Sequence, residues 1–497
     1  MASESVARPV GWGLIGVLVV LGFHFSSFDI GTQPIVTDVR YFLYYAWQVS
    51  EGAVPHVDFF ENKPQLSVFV SAGLFSLADS MGLDPLLAIR AGQLALAGLA
   101  AFLAFIVFSR LGGAVCGWVG LAGSLAFGLL GVLPAVGTLP KLLMVVLGPA
   151  AALLAHDRRW VWAGLVGGLA FFDWQVGGAA WLAVAITALA DRGQRARALV
   201  GVCLGGFLAV LPLAIYYGAH GALGATFEQV VLATLSRGAS SLEAQGLAAR
   251  ASRALARIRV ACPEQTGWLM ASVAGVPVAV WLLSVGRRRP GGEDRARLVL
   301  PLCVFYGAIL AMSAIEIQGY GDLFALLHAA AFGLGLLGWA VLAAVRRWAP
   351  RPWAPAAFAV LALLAARPGA LRPAVALQSP AIAPGAALSD QREVARSALR
   401  TIGEAPLAAF DSSELLFLMR RRNAVPTLYW NRATRAHFRA ASDTTPTDTV
   451  IRLLDASGAE FFIPPRRVRD RGRLLSGSRP IALRSQQRRY AVELRER

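Results

Sequence analysis

Long uncharged apolar runs separated by short arginine-rich turns dominate the first three quarters of the chain. The first runs from about Val10 to Phe28. Others lie at about 65–83, 87–108, 114–134, 140–155, 160–190, 198–217, 268–285, 298–315, 323–345 and 353–370. A helix needs roughly 20 apolar residues to cross a hydrocarbon core of ~30 Å. The pattern predicts a mainly α, polytopic transmembrane helical bundle of about 11–13 spans. The 160–190 run has room for two short helices, broken around Asp173-Trp174-Gln175 between the pairs Gly167, Gly168 and Gly177, Gly178. Arg8 precedes the first run and no small-residue cleavage site closes it, which predicts a retained anchor.

The arginines orient the bundle. HDRRW (156–160), DRGQRAR (191–197), GRRRPGGEDRAR (286–297) and RRWAPRPW (346–353) are short basic loops, expected in the cytoplasm. Loops 29–64, 218–267 and 316–322, and everything after about residue 372, are then expected outside. This alternation does not close. Two crossings at 65–83 and 87–108 would return the chain to the outside, whereas Arg110 belongs inside. One segment must be re-entrant or interfacial, either 65–83 or part of 160–190.

Composition narrows the class. With 56% hydrophobic and 15% charged residues, a single soluble domain and a disordered chain are both excluded. The formal charge of +17 is explained by basic loops, and long apolar runs argue against a nucleic-acid partner. Lys63 and Lys141 are the only lysines. The four cysteines are scattered without metal-ligand spacing. From about 385 the chain changes character, with 21 Arg and 12 acids over 385–497. Residues 389–402 read as an amphipathic helix, 406–410 and 459–465 as strands, and VPTLYW (425–430) as an aromatic surface near the junction. The expected organisation is a transmembrane domain, 1–371, followed by a small α/β extracytoplasmic domain, 385–497. Its basic surface suits anionic lipid headgroups, each cation adding about 1 kcal/mol.

The first outer loop concentrates the chemistry. Asp38, Arg40, Glu51, Asp58, Glu61 and Lys63 fall within Thr37–Leu66, and acids are sparse in the rest of the bundle. Apolar or aromatic residues at 41, 42, 45, 46 and 49 have helical spacing, predicting an amphipathic helix along the membrane surface that Gly52 and Pro55 end. Charges at that depth are costly unless paired or functional. A carboxylate there, Asp38, is placed to act as general base. Lys63 with Arg40 is placed to hold a leaving phosphate. Ordinary interfacial charges remain the alternative.

The string of Asp38, Tyr41, Ala46, Gly52, Pro55, Asp58, Phe59, Phe60, Lys63 and Pro64 resembles the first periplasmic loop of GT-C fold glycosyltransferases. It is nearest the family 39-like bacterial group of aminoarabinose transferases and rhizobial lipopolysaccharide transferases. The resemblance implies a GT-C type bundle in the bacterial inner membrane. It also implies a polyprenyl-phosphate sugar donor, a glycan or lipid-linked acceptor on the outer face, and inverting hexosyl or pentosyl transfer. Under it Asp38 is the acceptor-activating carboxylate, and Glu61 and Lys63 line the donor-phosphate cavity. The pattern departs in three places: Asp38-Val39 for Asp-Glu, Lys63-Pro64-Gln65 for Lys-Pro-Pro, and Thr138-Leu139-Pro140-Lys141 where an acid is common. Some members bind metal through a His in a later outer loop; Thr226–Arg237 has Glu228 and no His, so a divalent metal cofactor stays open.

Further candidate substrate contacts are Glu228 and Arg237 in the 218–267 loop, with Arg250, Arg253, Arg257 and Arg259 as a basic face. Tyr320 and Asp322 in the 316–322 loop are expected to line the same cavity. Asp173 and Gln175 interrupt an apolar run, where an acid is functional or caps a helix break. The alternative to an enzyme is a non-catalytic lipid or glycan transporter. That class favours internal repeats and midplane charges, and neither is visible in the sequence.

Overall fold

The computed structural model describes residues 29–35, 39–126, 140–191, 193–233, 292–316, 335–339, 387–429, 432–439, 442–465, 470–486 and 491–496, with a few isolated positions elsewhere. The predicted runs at 10–28, 268–285, 323–345 and 353–370 lie wholly or largely outside these residues.

The helices of the first part are α1 (Val39–Ser50), α2 (Leu66–Ser80), α3 (Pro85–Gly112), α4 (Ala114–Ala126), α5 (Pro140–His156), α6 (Trp160–Asp173), α7 (Gly178–Ala190), α8 (Arg195–Ala219) and α9 (Gly292–Glu316). Local chemistry sets their ends. At α3, Asp84 accepts a hydrogen bond from Leu86 N (2.9 Å), Pro85 opens the first turn, and Arg110 sits in the last. Helices α6 and α8 pack at backbone distance. A Cβ on Gly164 would lie 2.3 Å from Val202 O, and one on Gly205 would lie 2.0 Å from Val161 O, so no larger side chain fits either position. Helices α3 and α8 are long and apolar enough to cross a membrane.

The break expected within 160–190 is present. Helix α6 ends at Asp173, a 3₁₀ turn spans Gln175–Gly177, and α7 begins at Gly178. At the far end of this hairpin, Arg158 pairs with Asp191 (3.1 Å), and Arg110 at the end of α3 pairs with Asp157 (2.6 Å). The turns at 156–160 and 191–197 therefore lie at one end of the bundle, with the C-terminal end of α3.

The later elements are α10 (Leu388–Ile402), β1 (Leu407–Ala409), α11 (Ser413–Met419), α12 (Arg432–Phe438), α13 (Pro446–Ser457), β2 (Phe461–Ile463), β3 (Arg479–Arg484) and β4 (Ala491–Glu496). The strands form one sheet in the order β1-β2-β4-β3. Leu407 registers with Phe461 in the parallel β1–β2 pair, and β4 runs antiparallel to both β2 and β3. Alternation along the strands divides two cores. Ala408, Phe410 and Phe462 face Val450 and Leu454 of α13. Leu407, Ala409, Phe461 and Ile463 face a second core shared with α10, α11 and α1. A capping box at Thr445 and Asp448 starts α13, and Gly458 in the left-handed region (φ 63°) ends it.

Both ends of α2 meet the C-terminal segment. Asn62, just before it, accepts a bond from Tyr429 (3.5 Å), and Asp79, near its end, pairs with Arg420 (2.8 Å). The 65–83 run, long enough on paper to span, thus begins and ends on one side of the fold.

Candidate active site

Helix α1 is buried from Tyr41 to Gln48. This corrects the expectation of a helix resting on a membrane surface. Its polar groups are covered by the C-terminal segment: Asn423 N donates to Tyr44 Oη (2.7 Å), and Gln391 exchanges two hydrogen bonds with Ile35 just before α1 (2.7 and 2.8 Å). Burial pushes the Tyr44 hydroxyl pKa up, so it stays a neutral acceptor for that bond.

Arg40 faces the same segment. It donates to Asp411 O (2.5 Å) and Tyr41 Oη (2.7 Å) and lies 3.7 Å from Glu414, whose side chain is 1% exposed. Burial opposes its charge, but Tyr41, Glu414 and Asp411 outweigh that and raise its pKa. Tyr41 Oη also reaches Asp411 Oδ1 (3.3 Å), and its ring tilts against Tyr429 with centroids 5.0 Å apart. Arg40 and Tyr41, both sequence candidates for substrate contact, are engaged in joining α1 to α11.

Beyond α1, Gly52 turns the chain with φ 87°. Asp58 is exposed and accepts from Val54 N (2.6 Å), closing its own turn. Phe59 stacks on Tyr45 at 4.3 Å. Phe60 N donates to Pro426 O (2.9 Å), while its ring stacks on His437 of α12 at 4.5 Å. Glu228, in a π-helical turn Phe227–Leu232, lies 3.5 Å from His437. Burial lowers the His437 pKa and Glu228 opposes the shift.

Glu61 is 1% exposed, and its N–H donates to Gln229 Oε1 (3.1 Å). Gln229 in turn donates to His56 O (2.8 Å) and faces His56 Nδ1 (3.3 Å). Burial pushes the His56 pKa down to about 4, against the raising effect of Gln229 and the Glu61 backbone. Neutral in the fold, His56 takes up no proton between its ordinary pKa near 6.5 and about 4, whereas the unfolded chain does. Stability contributed at neutral pH should therefore be lost as pH falls through that window, by up to about 3 kcal/mol. Thermal midpoints between pH 7 and pH 4 check this: His56→Asn, which tolerates the positive φ of 69° there, should flatten the decline.

At the base of the loop, Gln175 donates to Asn62 O (2.7 Å). The next residue, Lys63, holds its ammonium 5.0 Å from the Phe42 ring centroid. Lys141, 4% exposed at the start of α5, lies 4.7 Å from the ring of Trp174, the neighbour of Gln175. Below them Asp173 accepts from Ser67 Oγ and from Met144 N (2.7 Å), joining α2, α5 and α6. Gln175 thus ties the turn whose Trp174 faces Lys141 to the loop segment that carries Lys63.

Glu61 is held to Gln229 and Lys63 lies over Phe42, while Glu228 lies against His437, which stacks on Phe60. Asp58 is exposed. Asp38, Arg237, Tyr320 and Asp322 lie outside the described residues, as do Arg250, Arg253, Arg257 and Arg259. Sequence reasoning missed Gln229, Asn62, Asp411 and Glu414. Tyr429 lay within VPTLYW, read as an aromatic surface, and Lys141 was visible as the second of two lysines. Among the described residues no group of three or more His, Cys, Asp or Glu side chains is placed to hold a metal ion.

No protein-family model matches the chain, and no curated protein is significantly similar to it. Solved structures are informative. ArnT from Cupriavidus metallidurans in the apo state superposes with a TM-score of 0.57 at 15% identity, covering 97% of this chain and 98% of that one. The same enzyme bound to undecaprenyl phosphate gives 0.57 at 16% identity with equal coverage. The Archaeoglobus fulgidus oligosaccharyltransferase, in complex with Zn and sulfate, gives 0.53 at 12% identity, covering 90% of this chain and 67% of that one. The chain has the GT-C fold. Within this fold, the loop that carries the sequence motif is the one held between the helical bundle and the C-terminal sheet.

Proposed function

We propose that the chain is an integral membrane glycosyltransferase of the bacterial inner membrane, moving a sugar from a polyprenyl-phosphate carrier to a glycan or lipid-linked acceptor. The observation that carries this reading is the contact of the first loop, which carries Lys63, with the α6–α7 turn, whose Trp174 lies against Lys141. Ammonium groups held over aromatic faces support a phosphate-binding role there. The binding of undecaprenyl phosphate by a structure of the same fold supports the donor class.

The membrane reading draws on α8. Val200, Leu204, Phe207, Leu211 and Ile215 leave one face of it exposed and apolar, while Gly201, Gly205 and Ala209 pack inward. A stripe of that length needs lipid or protein cover. With the arginine-rich turns in the cytoplasm, α2 lies at the outer interface, α3 runs inward, and the hairpin turn at 174–177 and the C-terminal domain sit outside.

In the proposed reaction the acceptor hydroxyl attacks the anomeric carbon. Asp38 accepts the hydroxyl proton, the bond between that carbon and the phosphate oxygen breaks, and the polyprenyl phosphate departs with the electron pair. The configuration inverts. Lys63 offsets the charge gained by the phosphate. The motif places Glu61 and Tyr41 among the substrate contacts as well. Lys63→Ala should weaken apparent donor affinity about tenfold or more and leave acceptor KM within about twofold, because only the donor carries the phosphate. Initial rates with purified protein and a polyprenyl-phosphate sugar, varying each substrate in turn, test this; an unchanged donor KM rejects the assignment.

A further inference from the structure

A second charged recess lies away from Lys63. It is a half-open groove of about 500 Å³ between the α2–α3 turn and helices α10 and α11. Its floor is apolar, from Phe75, Leu86 and Phe417, and three arginines line it: Arg392 and Arg396, one turn apart on α10, and Arg420 at the end of α11. Arg392 pairs with Asp84 (2.5 Å) and Arg420 with Asp79 (2.8 Å). Arg396 is exposed and has no acidic partner among the described residues; its Nε reaches only Arg392 O (3.4 Å). Asp84 is further committed to capping α3.

The α2–α3 turn is unusual for a water-facing surface. Leu77, in the last turn of α2, and Met81 and Leu83, between the two acids that anchor the groove's arginines, are exposed by 57%, 63% and 55% of their area. The groove therefore combines an excess of guanidinium charge, an apolar floor and an adjoining apolar lip. Guanidinium forks match phosphate oxygens, and the lip matches acyl chains. A free anion would use the arginines and leave the lip in water; a lipid uses both.

We infer that this groove binds the headgroup phosphate of an anionic phospholipid from the surrounding leaflet, with its tails along Leu77, Met81 and Leu83. The inference rests on the membrane orientation proposed above but not on the sugar-transfer chemistry. The bound lipid clamps the C-terminal sheet to the α2–α3 turn through α10 and α11.

Purified full-length protein, reconstituted in nanodiscs of phosphatidylglycerol and phosphatidylcholine and then extracted, is assayed for retained lipid by native mass spectrometry. The parent should retain phosphatidylglycerol in preference to phosphatidylcholine. Arg396→Gln, an exposed change that breaks no ion pair, should lower that retention about fivefold, the loss expected for one cation worth about 1 kcal/mol. Equal retention by the variant overturns the assignment, as does displacement of the lipid by millimolar glycerol phosphate, which would mark a site for a soluble anion. Failure of the chain to enter nanodiscs removes both this inference and the membrane reading. Insertion and sugar transfer with unaltered lipid retention removes this inference alone.

Discussion

Asp38→Asn should reduce sugar transfer by roughly a hundredfold to ten-thousandfold, the range attributed to a positioned general base. Asn keeps the size and the capacity to accept a hydrogen bond but cannot take the acceptor proton. Asp38 immediately precedes α1, which is buried along its length and tied to the C-terminal segment at Tyr44 and Arg40. An anchored helix fixes its first turn, and a fixed first turn is what a base needs in order to meet a hydroxyl reproducibly. Expression level and thermal midpoint should stay near the parent's. Transfer within about threefold of the parent by purified Asp38→Asn would exclude the base role, since an essential base lost costs at least a hundredfold.

Glu414→Ala should destabilise the protein by about 3–5 kcal/mol, the usual cost of breaking a buried ion pair from one side. Glu414 is 1% exposed and Arg40 is 13% exposed at the side chain, so the substitution removes one of the two carboxylates that compensate a buried guanidinium and leaves it Asp411 and Tyr41. The double variant Arg40→Met with Glu414→Leu removes both charges and should recover most of the loss, because well-packed apolar residues often replace such a pair without cost. Denaturation midpoints in detergent measure both. If the double variant were as unstable as the single, the pair would be adding stability of its own, and the account of Arg40 as a strut would have to be revised. The same lesion loosens the start of α1, so activity should fall together with stability in the single variant and return in the double.

Much of the local structure was readable from pattern. The spacing of Tyr41, Phe42, Tyr45, Ala46 and Val49 announced α1, and Ser389-Asp390 announced the start of α10, which runs Leu388–Ile402. The polar group at Asp173 with its flanking glycines marked the helix break. Strands β1 and β2 fell inside the predicted 406–410 and 459–465, where apolar runs are dense. Strands β3 and β4 were missed because arginines crowd them. Arg479, Arg484 and Arg495 hide an alternation in which Ile481, Leu483, Val492 and Leu494 pack on the core. The 65–83 run was long enough on paper to span and was also a candidate for the re-entrant or interfacial segment; that both its ends meet the C-terminal segment, through Asn62 and Asp79, is a contact no apolar pattern reveals.

At the site, residue types were readable but partners were not. Arg40 looked like a phosphate ligand because a cation in a loop near a membrane often is one. Its partners Asp411 and Glu414 lie about 370 residues away, and no periodicity links them. Gln229 was invisible for the same reason, though it holds both His56 and Glu61. The meeting of the α6–α7 turn with the first loop through Gln175 and Asn62 was invisible too, a contact set by tertiary packing alone.

The most direct test is an experimental structure of the purified protein with undecaprenyl phosphate. The account places the phosphate against the Lys63 ammonium at about 3 Å, as charge-assisted hydrogen bonds require, on the Asp38 side of α1 with the tail running between helices. A phosphate bound away from Lys63, or a junction closed against lipid with Lys63 turned to open water, would contradict it.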